Sequence, residues 1–313
     1  MFVSIITPTY NEADDIRETL EALIALNYED KEIIVVDASQ DETPQIVRSY
    51  STKQVNLIIQ SRGKGRAAAR NEGILAARGE IVITLNADVR LPRDFIERIL
   101  KHYEAGADYV LVESRITNIE KLPARYAQVL HEYYFPPRPE IEARMNWTEG
   151  FSCRRSAALA VGLFPEGEAF PLVAGEDGWF GEKLAAAGYK KTFDRSIVVT
   201  HVAPSEIKSF WDKRVERGRG VPPIWNMRDQ WTLERIVRAI VISGILSGLA
   251  LIVPLPSFYR AWQQSVFSPY GRRDVLNFIF CDWLTTAGNL WGLIRGTLDL
   301  YQAGVRPNAN SPD

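Results

Sequence analysis

An α/β domain followed by a helical C-terminal region is the architecture this sequence predicts, on three observations. Short apolar runs alternate with amphipathic stretches through the first half, the pattern of strands joined by helices. Polar clusters follow those runs, at the carboxyl ends where open parallel sheets place their ligands. Beyond about residue 225 the composition changes to long uncharged segments.

The strand candidates are 2–7, 33–37, 57–59, 81–85 and 109–112. Between the first two, Ile16, Leu20, Leu23 and Ile24 fall on one face of a helix whose expected N-cap is Asn11. After Leu91-Pro92, a second helical face carries Phe95, Ile99, Leu100 and Tyr103. From 121 to 167 the chain is irregular and aromatic; a helix at 181–187 and a strand at 197–200 follow. A basic stretch with Lys208, Lys213, Arg214, Arg217 and Arg219 then leads to 239–259, which is 21 residues without a charge. A helix needs about 20 mostly apolar residues to cross a bilayer. Gly244 and Gly248 have the small-xxx-small spacing with which membrane helices pack closely. A second apolar stretch, 275–294, is interrupted by Asp282 and Asn289. Two buried helices of a soluble subdomain have a similar composition, but such helices seldom run so long uncharged, so membrane association is expected. Arginines flank both segments, so the positive-inside rule sets no orientation. The expected division is an α/β domain at 1–225 and a membrane-associated helical region at 226–313.

With 313 residues, 46% hydrophobic and 24% charged, the chain has room for one large domain and a smaller appendage. A formal net charge of -2 gives no reason to expect a nucleic-acid partner. Cys153 and Cys281 are too few for a disulfide framework and suit a reducing compartment. The first residues read as a strand and lack the basic and apolar regions of a signal peptide.

The first polar cluster is Pro8-Thr9-Tyr10-Asn11-Glu12 and the second is Asp37-Ala38-Ser39-Gln40-Asp41. An acidic side chain in such a place accepts hydrogen bonds from a base or ribose, although polar turns that merely cap helices look the same. Next comes Arg62-Gly63-Lys64-Gly65-Arg66, followed by Arg70-Asn71. Glycines and cations between a strand and a helix suit a diphosphate, through backbone amides, the helix N-terminus and charge. Gly63-x-Gly65-x-x-Ala68 also fits a dinucleotide fingerprint, as a nicotinamide-dependent oxidoreductase would use. That fingerprint belongs after the first strand, which here ends in Pro-Thr-Tyr-Asn. The fourth strand runs into Asn86-Ala87-Asp88. Residues two apart on an extended segment point the same way, so both side chains can face a divalent cation, with Asp88 the one carboxylate; helix capping is the alternative. Gly175-Glu176-Asp177-Gly178 precedes a helix, whose first turn favours acidic residues in any case. His201 ends a strand beside the basic stretch, and a lone histidine is more often structural than a ligand.

As an ordered set these segments are specific. Pro-Thr-Tyr-Asn-Glu, Val-Asp-Ala-Ser-x-Asp-x-Thr, Gly-x-x-x-Ala-Arg-Asn-x-Gly, Asn-Ala-Asp, Cys-Arg-Arg-x-Ala-x-x-x-Val-Gly-x-Phe, Gly-Glu-Asp and His occur in this order across roughly residues 2–220. The set resembles the family 2 glycosyltransferases, which include the dolichyl-phosphate mannose synthases and the catalytic core of cellulose-synthase-like enzymes. The resemblance implies a GT-A nucleotide-sugar-binding fold with a mostly parallel sheet. It implies that Asp37 contacts the nucleoside, that Asp88 binds Mn2+ or Mg2+ with the donor diphosphate, and that Asp177 is the catalytic base. His201 falls where relatives place a further metal or diphosphate contact. Pro8, Tyr10, Glu12, Lys64, Arg70, Asn86 and Ala87 are the other expected donor contacts, and Arg214 and Arg217 are candidates for the donor diphosphate or a lipid phosphate.

Three departures qualify the match. Asn86 replaces the usual first aspartate of the metal motif, and the nucleoside loop is one residue shorter than the common form. The Gln-x-x-Arg-Trp motif of processive relatives is missing from 211–218, which favours single sugar addition. A membrane segment beside the α/β domain implies a polyprenyl-phosphate-linked acceptor such as dolichyl phosphate. The expected enzyme is an inverting hexosyltransferase of glycan biosynthesis at the cell membrane, with its catalytic domain on the cytoplasmic side. GDP-mannose is the first expected donor and a UDP-sugar the second, with a glycolipid or polysaccharide as the alternative acceptor. A catalytically dead nucleotide-sugar-binding module also accommodates Asn86.

Overall fold

Val, Ile and Thr crowd the strands because their branched Cβ atoms pack well on a pleated surface, and alternate residues supply opposite faces of one sheet. In the computed structural model, which describes residues 1–51, 54–60, 64–167, 171–252 and 255–304, the strands are β1 (Val3–Thr9), β2 (Lys31–Asp37), β3 (Val55–Ile59), β4 (Ile81–Thr84), β5 (Val89–Arg90), β6 (Tyr109–Ile116), β7 (Phe151–Arg154) and β8 (Lys191–His201). The helices are α1 (Ile16–Ile24), α2 (Thr43–Arg48), α3 (Gly65–Ala76), α4 (Phe95–Glu104), α5 (Leu122–Tyr134), α6 (Pro139–Glu142), α7 (Arg155–Ala160), α8 (Glu176–Ala186), α9 (Ile207–Met227), α10 (Leu233–Ile252), α11 (Leu255–Gln264) and α12 (Val275–Gln302).

The chain forms two compact units, one of residues 1–117, 139–166 and 176–202, the other of residues 118–138, 167–175 and 203–313. This division differs from the expected one at 225: α5 and α9 both belong to the second unit. The reason is local packing, since α9 lies against α12 along a seam of glycines.

The first unit holds all eight strands, in the order β3-β2-β1-β4-β7-β6-β8-β5. β1 pairs in parallel with β2 and β4, β2 with β3, and β6 with β8, whereas β7 and β5 run antiparallel to their neighbours. The sheet is therefore mostly parallel, as expected, with β7 and β5 as its antiparallel members. Ile5, Ile33 and Ile81 pack on one face with Ile16, Leu20, Phe95 and Ile99. Ile6, Ile34 and Val82 pack on the other with Ala67, Ile74, Phe180 and Leu184. The chain leaves β1 for β2 and β3 on one side and returns to β4 on the other, so the strand order reverses between β1 and β4, the position where open sheets leave a crevice.

Asn11 is not an N-cap. It adopts a left-handed φ of 56°, its Oδ1 accepts a 2.9 Å hydrogen bond from Gln40 N, and its own N–H donates to Ser39 Oγ at 2.7 Å. Asp15 precedes α1 instead, so Asn11 ties the loop after β1 to the loop after β2.

In the second unit, Tyr126, Phe210, Ala261, Phe278 and Cys281 form a small core. Arg125 makes a bidentate pair with Asp274, Nε–Oδ2 at 2.8 Å and Nη2–Oδ1 at 3.1 Å, and Tyr126 Oη donates to Asp282. Among the described residues the uncharged stretch 239–259 is shared between α10 and α11, and Val253 and Pro254 lie outside them. Among the described residues, no helix is long and apolar enough to cross a membrane. The expected Gly244/Gly248 packing pair is also displaced. A Cβ on Gly244 would only touch Leu290 at 4.0 Å, and one on Gly248 would meet nothing within 4 Å. Close packing belongs to Gly288, Gly292 and Gly296 of α12, where added Cβ atoms would sit 2.8 Å from Arg214 Cβ, 2.2 Å from Val215 O and 2.3 Å from Arg219 O.

Because the neighbours of Gly292 are backbone atoms that cannot move aside, Gly292→Ala should cost about 2 kcal/mol or more of stability. Gly248→Ala, with open space and a better helix former, should be neutral or stabilising by up to ~1 kcal/mol. Thermal unfolding followed by circular dichroism compares the two; equal melting would remove the seam from this account.

Candidate functional site

α3 is pressed onto β1 because Gly73 has no side chain: a Cβ there would lie 2.3 Å from Ile6 Cγ2. Asn71 then fixes the helix from its other side. Its Nδ2 donates to the Phe164 carbonyl at 2.9 Å and its Oδ1 accepts from Phe164 N at 2.9 Å. Between these two anchors Arg70 points inward and is only 1% exposed.

Arg70 joins four segments of the first unit. Its Nη1 donates to Glu176 Oε1 at 2.8 Å, and its Nη2 donates to Asn86 Oδ1 and Thr148 Oγ1, both at 3.0 Å. Arg66 Nε reaches the same Glu176 oxygen at 2.9 Å. Although burial works against its charged form, Glu176 is held below the usual carboxylate range by Arg66 and Arg70.

Asp177 is the next residue, at the start of α8, and is half-buried. Its Oδ1 accepts a 2.8 Å hydrogen bond from Gly178 N. Burial, then the like charge of Glu176, push its carboxyl up to about 6, with Glu149 adding to the rise and Arg70 opposing it. A carboxyl so poised takes up and releases a proton near neutrality.

The loops after β1 and β2 meet over Asp37. This residue is 1% exposed, and its Oδ1 accepts from Thr9 Oγ1 at 2.7 Å and from Ser39 Oγ at 2.6 Å. Asp41 fastens the same loops, its Oδ2 accepting from Ala13 N at 3.2 Å and its Oδ1 from Thr43 Oγ1 at 2.6 Å. Tyr10 is 60% exposed, whereas Pro8 and Glu12 are half-buried. Lys64 opens α3 and pairs with Glu72 at 2.9 Å.

The Asn86-Ala87-Asp88 turn is held by its middle carbonyl: Ala87 O accepts from Thr19 Oγ1 at 2.6 Å and from Arg90 Nη1 at 2.9 Å. Val89, immediately after Asp88, lies directly opposite His201 in the β5–β8 ladder. The two expected metal ligands thus fall at one sheet edge, with His201 Nδ1 within 3.1 Å of Ser114 Oγ. Among the described residues no group of three or more His, Cys, Asp or Glu side chains is placed to hold a metal. A magnesium-type ion bound by one or two protein groups and substrate phosphates needs no such group, so this edge fits an ion completed by a diphosphate.

The sequence-expected residues of β1, β2, β4–β5, α3, α8 and β8 therefore all belong to the first unit. Arg214 and Arg217 belong to the second, where Arg214 is buried with its guanidinium 4.6 Å from the Phe210 ring centroid and Arg217 is exposed. Arg70, expected at the diphosphate, is instead enclosed among Glu176, Asn86 and Thr148. Gly63 and Arg62 lie outside the described residues. Sequence reasoning named Arg66 only among the cations of a diphosphate loop, whereas it pairs with Glu176, and it missed Thr148 and Glu149. The last two sit in the irregular aromatic stretch, where no spacing marks them; Arg66 carried a signal, four residues before Arg70 on one helix face.

Comparison with known proteins identifies the fold and the family. The sequence profile described as Glycosyl transferase family 2 matches residues 4–166. Glycosyltransferase AglE of Haloferax volcanii is 31% identical over 308 residues, covering 94% of this chain and 97% of that protein. An undecaprenyl-phosphate 4-deoxy-4-formamido-L-arabinose transferase of Pseudomonas fluorescens is 35% identical over 116 residues, 35% of this chain and 34% of its own length. Among solved structures, a mannosyltransferase of Pyrobaculum calidifontis in complex with GDP-Man and Mn2+ superposes with a TM-score of 0.56 at 20% identity, covering 99% of this chain and 76% of that one. That likeness shows the GT-A fold, and the sequence match reaches nearly end to end: the chain is a member of the family 2 glycosyltransferases.

Proposed function

We propose that the chain is an inverting, metal-dependent transferase that moves one sugar from a nucleoside diphosphate donor to a polyprenyl-phosphate-linked acceptor at the cytoplasmic face of a cell membrane. GDP-mannose is the first donor to test. The observation that supports this best is Asp177, a carboxyl raised to about 6 beside the charged Glu176, whose partner Arg70 also holds the Asn86-Ala87-Asp88 turn. Two of the similar proteins add support, one an undecaprenyl-phosphate 4-deoxy-4-formamido-L-arabinose transferase and one a mannosyltransferase in complex with GDP-Man and Mn2+.

In this mechanism the loops around Asp37, with Pro8, Tyr10 and Glu12, receive the nucleoside, and Lys64 lies nearer the diphosphate. Asp88 and His201 are the residues that would hold Mn2+ or Mg2+. When bound, the ion offsets the negative charge that grows on the departing nucleoside diphosphate. Asp177 accepts the proton of an attacking hydroxyl as that oxygen bonds to the anomeric carbon and the bond to the diphosphate breaks. A single displacement inverts the anomeric centre. Asn86 gives Arg70 a neutral acceptor and leaves Asp88 as the carboxylate of the turn.

The decisive experiment offers a panel of nucleotide sugars with and without Mn2+, and with polyprenyl phosphate or glycan-terminated lipids, and measures release and transfer. Binding of a donor without turnover on any acceptor would reduce the chain to a binding module. In Asp88→Ala, calorimetric titration of Mn2+ in the presence of the nucleoside diphosphate should lose most of the metal-dependent affinity, while Asn86→Asp keeps it. Unchanged affinity in Asp88→Ala would remove this edge as the metal site.

Because Asp177 must be ionised to act as a base, kcat/KM should fall as pH drops through about 6. Removing the like charge of Glu149 with Glu149→Gln should move that limb to lower pH. An acid limb unaffected by Glu149→Gln and by Asp177→Glu would assign the titration to another group.

The base assignment also distinguishes acceptors. A sugar hydroxyl is protonated at neutral pH, whereas a phosphate monoester with a second pKa near ~6 already presents an anionic oxygen. Asp177→Asn should cost roughly 10²–10⁴-fold with a hydroxyl acceptor and clearly less with a bare polyprenyl phosphate. Equal losses at saturating metal and donor would leave Asp177 a positioning role only.

A further inference from the structure

Beside the small core around Tyr126, Phe210 and Phe278, long stretches of the second unit's helices turn small residues inward and large apolar ones outward. α11 buries Ser257, Ala261 and Gln264, at 3%, 0% and 0% exposure, and turns Leu255, Phe258, Tyr259 and Trp262 outward. Both amide atoms of Gln264 are buried without a hydrogen-bond partner. α12 buries Gly288, Gly292 and Gly296, while Leu276, Phe280, Trp283, Trp291 and Leu298 form an exposed stripe at helical spacing along it. α10 brings Gly244 to Leu290 and exposes Val241, Ile242, Ile245 and Leu246. Eighteen of the 26 exposed large apolar side chains among the described residues lie between 233 and 304. A helix packed for water does the reverse, so these three faces are matched to an apolar medium rather than to solvent.

Two further observations choose the occupant. Exposed arginines stand among the apolar faces: Arg235 and Arg238 on the first turns of α10, Arg272 and Arg273 just before α12, and Arg295 on its later turns. Arg272 stacks on exposed Trp262 with its guanidinium 3.9 Å from the ring centroid. Apolar stripes with tryptophan, tyrosine and arginine at their edge suit the boundary between headgroups and acyl chains. Depth is limited, since no helix among the described residues is long and apolar enough to cross a bilayer, and the ten residues of α11 reach only about 15 Å.

We propose that the outward faces of α10, α11 and α12 form a docking surface that lies in the interface of a bilayer carrying anionic headgroups, holding the enzyme on one leaflet without spanning it. The surface rests for its purpose on the lipid-linked acceptor proposed above, whereas the binding it describes requires neither donor nor acceptor.

The test uses the full chain and vesicles of phosphatidylcholine alone or mixed with phosphatidylglycerol, with no substrate present. The chain should co-sediment with vesicles, more tightly with phosphatidylglycerol and less so in high salt. Its tryptophan fluorescence should be quenched more by lipids brominated near the headgroup end of the acyl chain than near the methyl end. Val241→Glu, Leu255→Glu and Leu276→Glu together change exposed positions and should weaken vesicle binding at least about 100-fold. Arg272→Gln with Arg273→Gln should remove most of the preference for phosphatidylglycerol. Stronger quenching by the methyl-end label would indicate spanning and overturn the proposal. A chain that ignores vesicles and sediments as a dimer, becoming monomeric in the triple variant, would assign the faces to self-association and overturn it too. Vesicle binding without sugar transfer would reject the acceptor while leaving the docking surface standing.

Discussion

Two charges buried against each other organise the first unit: the Arg70 guanidinium and the Glu176 carboxylate, each 1% exposed and 2.8 Å apart. Removing both charges from water is costly, and further hydrogen bonds offset part of that cost. Arg66, Asn86 and Thr148 supply them, which makes α3, α8, the β4–β5 turn and the segment before β7 parts of one arrangement, although Arg70 Nε and Glu176 Oε2 stay buried without a hydrogen-bond partner. Breaking one partner of such a pair typically costs ~3–5 kcal/mol, an appreciable part of a domain's stability. The pair also determines the acidity of its neighbour. Because Arg66 and Arg70 keep Glu176 charged, Asp177 faces a fixed negative charge while half-buried, and its carboxyl rises to about 6. A neutral Asn86 fits this balance. Arg70 already has one carboxylate partner, and a second beside it would add negative charge to a network that raises Asp177.

The fold was legible where one physical rule acted alone. Short β-branched apolar runs, buried on both faces in β1, β2 and β4, marked the strands of the parallel half, and the 3.6-residue stripe marked α1 and α4. Ile5 with Ile33 and Ile81, and Ile6 with Ile34 and Val82, show how strictly alternation sorts the two faces. The rule failed for β5 and β7, of two and four residues, which exist through pairing with β8 and with β4 and β6 rather than through their own pattern. It also failed at Asn11, where the side chain found a partner 29 residues away instead of the nearby helix. The domain boundary was misplaced for the same reason: α9 is polar enough to read as catalytic, but its glycines are complementary to those of α12.

Candidate site residues were legible as a set and much less so in their arrangement. Asp37, Asp88, Asp177 and His201 follow strands or open a helix, so their neighbourhood was implied by topology. Arg70 was read as a donor contact, but it sits on the buried face of α3 between Gly73, which admits close approach to Ile6, and Asn71, which holds Phe164. Only the tertiary structure reveals that an arginine there must turn inward and find a carboxylate. Thr148 and Glu149 could not be found at all, because their contribution is measured by distance to residues roughly 28 to 78 positions away in the chain, a quantity no local pattern contains.

The two units answer the demand for cohesion differently. The first buries its large aliphatic and aromatic side chains on both faces of a sheet, so the hydrophobic effect in water is sufficient to hold it. The second places glycines at the contact of α9 with α12, where Gly218 faces the Asn289 backbone and Gly292 faces Val215. Contact there comes from close backbone approach and dispersion, the means by which helices associate when their surroundings are as apolar as their side chains. Such packing uses small residues inside and leaves large ones outside, as along α11 and at Gly288, Gly292 and Gly296 of α12. Gly244 and Gly248 displayed the same signature in the sequence, but on a helix whose small face meets little. A glycine repeat identifies a close contact only when the opposing helix brings backbone, rather than long side chains, to meet it, and α9 does so through Gly218 and the carbonyls of Val215 and Arg219.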